Sequence, residues 1–242
     1  MERTKAAENI FFIDFDGVIC DSVDECFVSA WLAYADYIGH QPETVALADY
    51  KLFKQYRPLI RRGADYLLLQ LCIDRGIVLS DQSDFDRQEE EMGDAGMEAL
   101  HTQFYKTRSK LLKDNKLYWL NLHRIYAGIS EALASVSDTA WILTTKEVSF
   151  VYEILAHNGL AWSKERIICS GKRRKLEVIG EILKDGQNAV FVDDQIDHFF
   201  PNSGSRASCF LASWGYVQPE WLNRDVEVLT IQDFVELIRK TV

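Results

Sequence analysis

Short apolar runs separated by helical patterns dominate the second half of this 242-residue chain. Apolar residues between the runs recur at three- and four-residue intervals, which is the spacing of one helix face. Strands that alternate with helices of about ten residues form βαβ units, whose strands lie parallel in one sheet. The pattern therefore predicts an α/β fold with a Rossmann-like core built on a parallel sheet. The predicted strands are 10–13, 140–143, 167–169, 189–192, 208–211 and 226–229.

The region between the first and second of these strands has a different character. In residues 23–124 strand-like runs nearly vanish and apolar side chains recur at helical spacing. An acidic stretch, 81–91, is interpreted as a solvated loop and the start of a helix. The sequence thus predicts an α/β core formed by residues 1–22 and 125–242, with an inserted α-helical domain formed by residues 23–124.

Composition argues against several classes of partner. The net charge of −10 disfavours a nucleic-acid backbone and an anionic membrane surface. The five cysteines are scattered without C-x-x-C spacing, which is typical of reduced thiols. Residues 1–5 carry no apolar leader, and no run approaches the roughly 18–20 apolar residues of a membrane helix. We therefore expect a cytoplasmic monomer or homodimer without a nucleic-acid or membrane partner.

The first predicted strand leads into two aspartates, Asp14 and Asp16, which are followed at once by Gly17. Side-chain direction repeats every two residues in a strand, so both carboxylates would project on the same side. Gly17 permits a sharp exit from the sheet. Open α/β sheets bind ligands at the carboxyl ends of their strands. The arrangement suits a phosphoryl-transfer enzyme with an aspartate nucleophile.

A turn or a calcium loop is the alternative interpretation of this segment. Asp-x-Asp-Gly is common in both. Counted from Asp14, Glu25 occupies the twelfth position, where an EF-hand loop requires a glutamate. The fifth position, however, is the apolar Val18, and apolar residues on both sides favour a strand followed by a packed turn.

Three further polar clusters follow later strands or precede helices. Thr144, Thr145 and Lys146 follow the second strand, where a hydroxyl and a helix N-terminus can bind phosphoryl oxygens. A helix N-cap is the alternative role, and for a threonine taken alone it is the more common one. The basic run 172–175 is either a solvated face or a source of one ammonium that neutralises aspartate and phosphate.

The third cluster, Asp193, Asp194 and Asp197, follows the strand 189–192. Two carboxylates at about 4 Å repel each other by about 4 kcal/mol at an effective dielectric near 20. Asp14 and Asp16 on a neighbouring strand would add to that cost unless a cation intervenes. Hard oxygen ligands with room for water and phosphate favour Mg²⁺.

The order of these motifs resembles the haloacid dehalogenase (HAD) superfamily, in its phosphoglycolate phosphatase-like branch. Asp21-Ser22, Tyr126-Ala127-Gly128-Ile129 and Trp214-Gly215-Tyr216 are similar to segments of that branch. The helical insertion falls where the branch carries its C1 cap, and residues 57–63 resemble the cap segment that approaches substrate. The sequence departs from the family pattern at Thr145, where asparagine is common, and in the basic run, which lacks the usual Lys-Pro.

The resemblance implies a Mg²⁺-dependent phosphatase that hydrolyses a small phosphorylated metabolite through an aspartyl-phosphate. The implied catalytic residues are Asp14 as nucleophile, Asp16 as acid and base, Thr144, and Lys175, with Lys172 as the alternative lysine. The implied metal ligands are Asp14, the Asp16 carbonyl and Asp193, with Asp194 or Asp197 in direct or water-bridged support. The implied substrate-binding residues are Gly17, Thr145, Lys146, Arg57 and Arg61, with Arg62 as a further cation; solvated helix charges are an equal alternative for the arginines.

Three alternative functions share this fold. A phosphomutase shares the motifs and differs in how the cap retains substrate. A dehalogenase has no need of an acid two residues after its nucleophile, so Asp16 counts against it. A non-catalytic binding module of the same fold would have lost acids, and none is missing here.

Overall fold

A computed structural model describes residues 8–39, 47–202 and 205–241. Residues 1–5, on which the expectation of a chain without a leader rests, lie outside this range. Across the described ranges, no helix has the length and apolar character that crossing a membrane requires.

The described helices and strands separate into two units. One unit comprises Met1–Asp21 and Arg124–Val242, and the other comprises Ser22–His123. In chain order the elements are β1 (Glu8–Ile13), β2 (Cys20–Asp21), α1 (Val23–Ile38), α2 (Leu47–Tyr56), α3 (Gly63–Asp74), α4 (Gln82–Asp114), α5 (Lys116–Asn121), β3 (Arg124–Ile125), α6 (Ile129–Val136), β4 (Trp141–Thr144), α7 (Val148–His157), β5 (Ile167–Cys169), α8 (Lys175–Ile182), β6 (Gln187–Asp193), β7 (Ala207–Ala212), β8 (Glu227–Leu229) and α9 (Ile231–Thr241).

A six-stranded parallel sheet in the order β5-β4-β1-β6-β7-β8 forms the centre of the first unit. The sheet confirms the predicted α/β fold. Its middle strand, β1, pairs with β4 through Phe12↔Trp141 and with β6 through Phe12↔Phe191. A strand buried on both faces needs a continuous apolar sequence, and Phe11, Phe12 and Ile13 supply it, each at most 3% exposed.

The helix α8 covers one face of this sheet with its apolar side. Val178 and Ile179 of α8 pack in one cluster with Phe12, Phe191 and Leu211 of the strands. This packing fixes the N-terminal end of α8, where Lys175 lies, against the carboxyl ends of the central strands.

A two-stranded antiparallel sheet, which the sequence analysis did not predict, joins β2 to β3. Its pairs are Cys20↔Ile125 and Asp21↔Arg124. Each strand has only two residues, which is too few to produce a readable alternation. The pairing brings together the two points at which the chain leaves and re-enters the first unit.

The second unit contains the described helices α1 to α5. Asp81 caps α4 by accepting hydrogen bonds from the backbone N–H groups of Ser83 and Asp84, so the acidic stretch begins a helix as predicted. Gly93, with φ of 70°, interrupts α4 with a kink, because left-handed backbone breaks the helical hydrogen-bond ladder.

A buried ion pair lies between α1 and α4 in this unit. Arg108 donates from Nε and Nη2 to the two carboxylate oxygens of Glu25, both at 2.9 Å, and Trp119 Nε1 donates to Oε1 at 3.0 Å. Burial lowers and the Glu25 charge raises the pKa of Arg108, and the net effect is upward. The calcium-loop interpretation is therefore wrong, since Glu25 is a buried helix residue committed to Arg108.

Candidate active site

The topology places three of the predicted polar segments at one edge of the sheet. Because β1 lies between β4 and β6, the residues at or just after the carboxyl ends of these strands are neighbours: Asp14, Thr144 and Asp193. The backbone N–H of Asp14 donates to the carbonyl of Val192 at 2.9 Å, so β1 stays in register with β6 up to the first aspartate.

Lys175, at the start of α8, joins two of these strands. Its Nζ lies 2.8 Å from Asp14 Oδ1 and 2.7 Å from Asp193 Oδ2, and its side chain is 1% exposed. Lys172, the alternative lysine, is exposed in the preceding turn. Of the two candidates, the structure brings Lys175 to the aspartates.

His198 is a further partner of Asp193 that the sequence analysis missed. Its Nδ1 lies 2.8 Å from Asp193 Oδ2, the same oxygen that Lys175 contacts. The other carboxylate oxygen, Oδ1, accepts the backbone N–H of Gln195 at 2.9 Å. His198 lies in a short 3-10 segment five residues after Asp193. Its proximity to Asp193 depends on a turn that the sequence pattern does not predict.

The surroundings perturb the pKa values of the two aspartates in opposite directions. Burial raises the pKa of Asp14 to about 6; the Lys175 charge opposes this shift, and the Asp193 charge adds to it. Burial would also raise the pKa of Asp193, but His198 and Lys175 together hold it well below its ordinary value. For Lys175, burial opposes the charged form, yet the two carboxylates raise its pKa.

Gly17 permits the close approach of Asp194 to the turn after β1. Gly17 has φ of 87°, and a Cβ there would lie 1.8 Å from Asp194 Oδ2. The same oxygen accepts the backbone N–H of Tyr216 at 2.7 Å. A Cβ on Gly215 would lie 2.4 Å from Asp194 Cβ and 2.5 Å from the Gly17 carbonyl oxygen. The Trp-Gly-Tyr segment thus holds Asp194 against the first aspartate turn.

Asp16 and Lys146 form an ion pair across this edge. Lys146 Nζ donates to Asp16 Oδ1 at 2.9 Å, and its side chain is 3% exposed. The Lys146 backbone N–H donates to Thr144 Oγ1 at 3.1 Å, which shapes the turn after β4. Glu147 occupies the N-cap position of α7, so Thr144 is not that helix's cap. Thr145 has its carbonyl 3.6 Å from Cys169 Sγ.

Within the described residues, Asp14, Asp193 and Asp194 form a group that could hold a metal ion. One ligand oxygen from each lies within 4.8 Å of the others, and all three residues are buried. No well-aligned hydrogen bond reaches Asp14 Oδ1, although the Lys175 ammonium is close. Three buried carboxylates, two of which contact the Lys175 ammonium, suit a hard divalent cation. Asp197 is exposed and is not part of the group.

The predicted arginines lie in the second unit. Arg57 is buried, with Nη1 3.4 Å from the Ile60 carbonyl and its guanidinium 5.2 Å from the centre of the Tyr66 ring. Arg61 pairs with Asp86 at 2.6 Å, and Arg62 with Glu89 at 2.9 Å. The contacts of Arg61 and Arg62 are those of structural ion pairs. The roles of the three arginines, and that of residues 23–124 as a cap, stay predictions.

The chain is similar in structure to several solved proteins. One is a predicted phosphoglycolate phosphatase from Haemophilus somnus 129pt, with a TM-score of 0.60, 15% identity, and coverage of 98% of this chain and 99% of that one. Another is a haloacid dehalogenase-like family hydrolase from Streptococcus pneumoniae, with a TM-score of 0.58, 14% identity, and coverage of 98% and 100%.

The chain has the haloacid dehalogenase-like fold. No protein-family model matches the sequence. No curated protein matches it either. Protein Tyrosine Kinase A from Mycobacterium tuberculosis shares the fold as well, with a TM-score of 0.55, 15% identity, and coverage of 97% of this chain and 99% of that one. Since one fold hosts different activities, the function has to be argued from the site.

Proposed function

We propose that the protein is a Mg²⁺-dependent phosphatase that hydrolyses small-molecule phosphate monoesters through a phosphoryl intermediate on Asp14. The contact of Lys175 with both Asp14 and Asp193 supports this most strongly. It unites a buried nucleophile candidate, a cation and a second carboxylate at the edge of the sheet where open α/β folds bind ligands. The phosphatase descriptions of structural neighbours point the same way.

In this mechanism a carboxylate oxygen of Asp14 attacks phosphorus, and the ester oxygen departs. Asp16 donates a proton to the departing oxygen and then accepts one from the water that hydrolyses the aspartyl-phosphate. Lys175 and the hydroxyl of Thr144 hold the phosphoryl oxygens as charge shifts among them. Asp193 keeps Lys175 in place, since its carboxylate contacts the ammonium at 2.7 Å.

The residues present fit Mg²⁺. Asp14 and Asp194, with the Asp16 carbonyl, would hold the ion, and it would offset negative charge on the carboxylates and the phosphoryl group. Asp193 also belongs to the group of three carboxylates, but both of its oxygens already accept hydrogen bonds from Lys175, His198 and the Gln195 backbone. We therefore assign Asp193 mainly to orienting Lys175.

The test is hydrolysis of p-nitrophenyl phosphate by wild type and by Asp14→Asn, each in Mg²⁺ and in EDTA. We expect activity only for wild type in Mg²⁺, because Asn cannot act as the nucleophile. Asp185→Asn removes an exposed carboxylate in the turn before β6 and is the matched control. Activity that survives Asp14→Asn undiminished would overturn the nucleophile assignment, and equal activity in EDTA would overturn the metal requirement.

The substrate is sought with a panel of phosphorylated metabolites and a phosphate-release assay. Release of inorganic phosphate from one class of ester supports the phosphatase. Conversion of a sugar phosphate into its isomer without phosphate release would indicate the phosphomutase instead.

A further inference from the structure

Lys146 is a buried cation that the mechanism above does not use. Its ammonium lies 2.9 Å from Asp16 Oδ1, whose side chain is 17% exposed, while the lysine side chain is 3% exposed. The two residues are 130 positions apart in the sequence. The pairing of β1 with β4 brings the turns that carry them together.

The backbone and the neighbouring ring restrain this lysine. Its N–H is tied to Thr144 Oγ1 at 3.1 Å. Its Nζ lies 5.8 Å from the centre of the Phe15 ring, the residue between the two aspartates. Because its backbone is hydrogen-bonded and its side chain is buried, Lys146 holds its ammonium in one position. The ammonium therefore limits the positions that the Asp16 carboxylate can adopt.

Lys146 is a predicted substrate-binding residue. An ammonium that receives a phosphate or carboxylate of the substrate would have to leave Asp16 or be shared with it. Moving the ammonium to the substrate would leave the poorly hydrated Asp16 carboxylate without this cation, which is costly. The geometry therefore favours a role for Lys146 in orienting Asp16 over a role in binding substrate.

We propose that Lys146 is a positioning residue that holds the Asp16 carboxylate where it exchanges protons with the leaving group and the attacking water. This inference rests on the proposed function, because it assigns Asp16 the acid–base role. A displacement of about 1 Å can cost on the order of 100-fold in rate, so restraint of one side chain matters for catalysis.

The first test is a double-mutant cycle on kcat/KM with Asp16→Asn, Lys146→Met and the double variant. We expect Asp16→Asn to lower kcat/KM by on the order of 10²- to 10⁴-fold, and Lys146→Met by on the order of 10- to 100-fold. Adding Lys146→Met to Asp16→Asn should have almost no further effect, because Lys146 would act through Asp16. Lys146→Arg, which keeps a cation, should recover part of the loss.

The second test compares two esters of similar shape, phenyl phosphate and p-nitrophenyl phosphate. Phenolate is the more basic leaving group and depends more on protonation by Asp16. Lys146→Met should therefore lower kcat/KM more for phenyl phosphate. The exposed lysine Lys184, replaced by methionine, is the control. Circular dichroism and thermal unfolding in EDTA establish that each variant is folded.

The outcomes separate this inference from the proposed function. If the loss of kcat/KM in the double variant equals the product of the two single losses, Lys146 binds substrate and the positioning role is overturned. The same holds if Lys146→Met raises KM by the same factor in wild type and in Asp16→Asn. Equal losses for both esters would overturn it too. Failure of wild type to hydrolyse either ester in Mg²⁺ would count against the proposed function itself.

Discussion

Replacement of Asp14 by asparagine should stabilise the metal-free protein while it removes activity. Burial raises the pKa of Asp14 from 3.8 to about 6, although Lys175 opposes the shift. Each pKa unit corresponds to about 1.4 kcal/mol, so the ionised carboxylate costs the folded state about 3 kcal/mol relative to the neutral one. Asparagine has nearly the same shape and carries no charge, so it avoids this cost.

The sign of the pH dependence follows from proton binding. Between about pH 4 and pH 6 the folded state holds a proton on Asp14 that the unfolded state has lost, so this residue's contribution to stability falls as pH rises. Above that window the penalty is complete. Asp14→Asn should therefore exceed wild type in unfolding free energy by about 3 kcal/mol near pH 8 and by almost nothing near pH 4.

The assay is urea unfolding in EDTA at intervals from about pH 4 to pH 8, with Asp185→Asn as the control that should follow wild type throughout. Added Mg²⁺ should narrow the difference near pH 8, because it stabilises wild type more than a variant without the carboxylate. A variant that is less stable than wild type near pH 8, or a difference that does not change with pH, would refute the reasoning.

Three further substitutions follow from the contacts described above. Lys175→Met should lower the unfolding free energy by about 3–5 kcal/mol and abolish hydrolysis, because it removes the ammonium that contacts the buried carboxylates of Asp14 and Asp193. Lys172→Met should change neither, and equal effects of the two variants would contradict the assignment of Lys175. Gly17→Ala should be less stable than Gly186→Ala, because a Cβ at position 17 collides with Asp194, whereas Gly186→Ala bears only the left-handed backbone cost of about 1–2 kcal/mol. Thermal melts of the two variants check this, and equal decreases in melting temperature would count against it. Arg108→Met should cost about 3–5 kcal/mol by urea unfolding because it leaves Glu25 buried without its partner, and a neutral effect would show that this ion pair does not stabilise the second unit.

The strands of the central sheet were predictable because their signal is local. A buried parallel strand needs consecutive apolar residues, so 10–13 and 189–192 could be found without knowledge of their neighbours. The structure extends these runs to Glu8–Ile13 and Gln187–Asp193. The polar end residues of a strand pair through the backbone, which carries no side-chain signal.

The sequence predicted which residues lie in the candidate site better than it predicted which of their side chains contact each other. Asp14 follows β1, Asp193 ends β6 and Lys175 begins α8, and their convergence follows from the order of the parallel strands. That Lys146 pairs with Asp16, and His198 with Asp193, depends on two turns whose side-chain directions periodicity does not specify. The proximity of Gly215 to Asp194 was not predictable either, because it depends on the packing of the Trp-Gly-Tyr segment against the turn at Gly17.

The covalent phosphoryl group on Asp14 is the central claim, and the most direct measurement is mass spectrometry of acid-quenched protein. Asp16→Asn should be used beside wild type, because loss of the residue that activates water should slow breakdown of the intermediate. After reaction with p-nitrophenyl phosphate in Mg²⁺, we predict one added phosphoryl group on the peptide that contains Asp14, and none in Asp14→Asn. A phosphoryl group found on another residue, or phosphate release by a variant that cannot be phosphorylated at Asp14, would contradict the account.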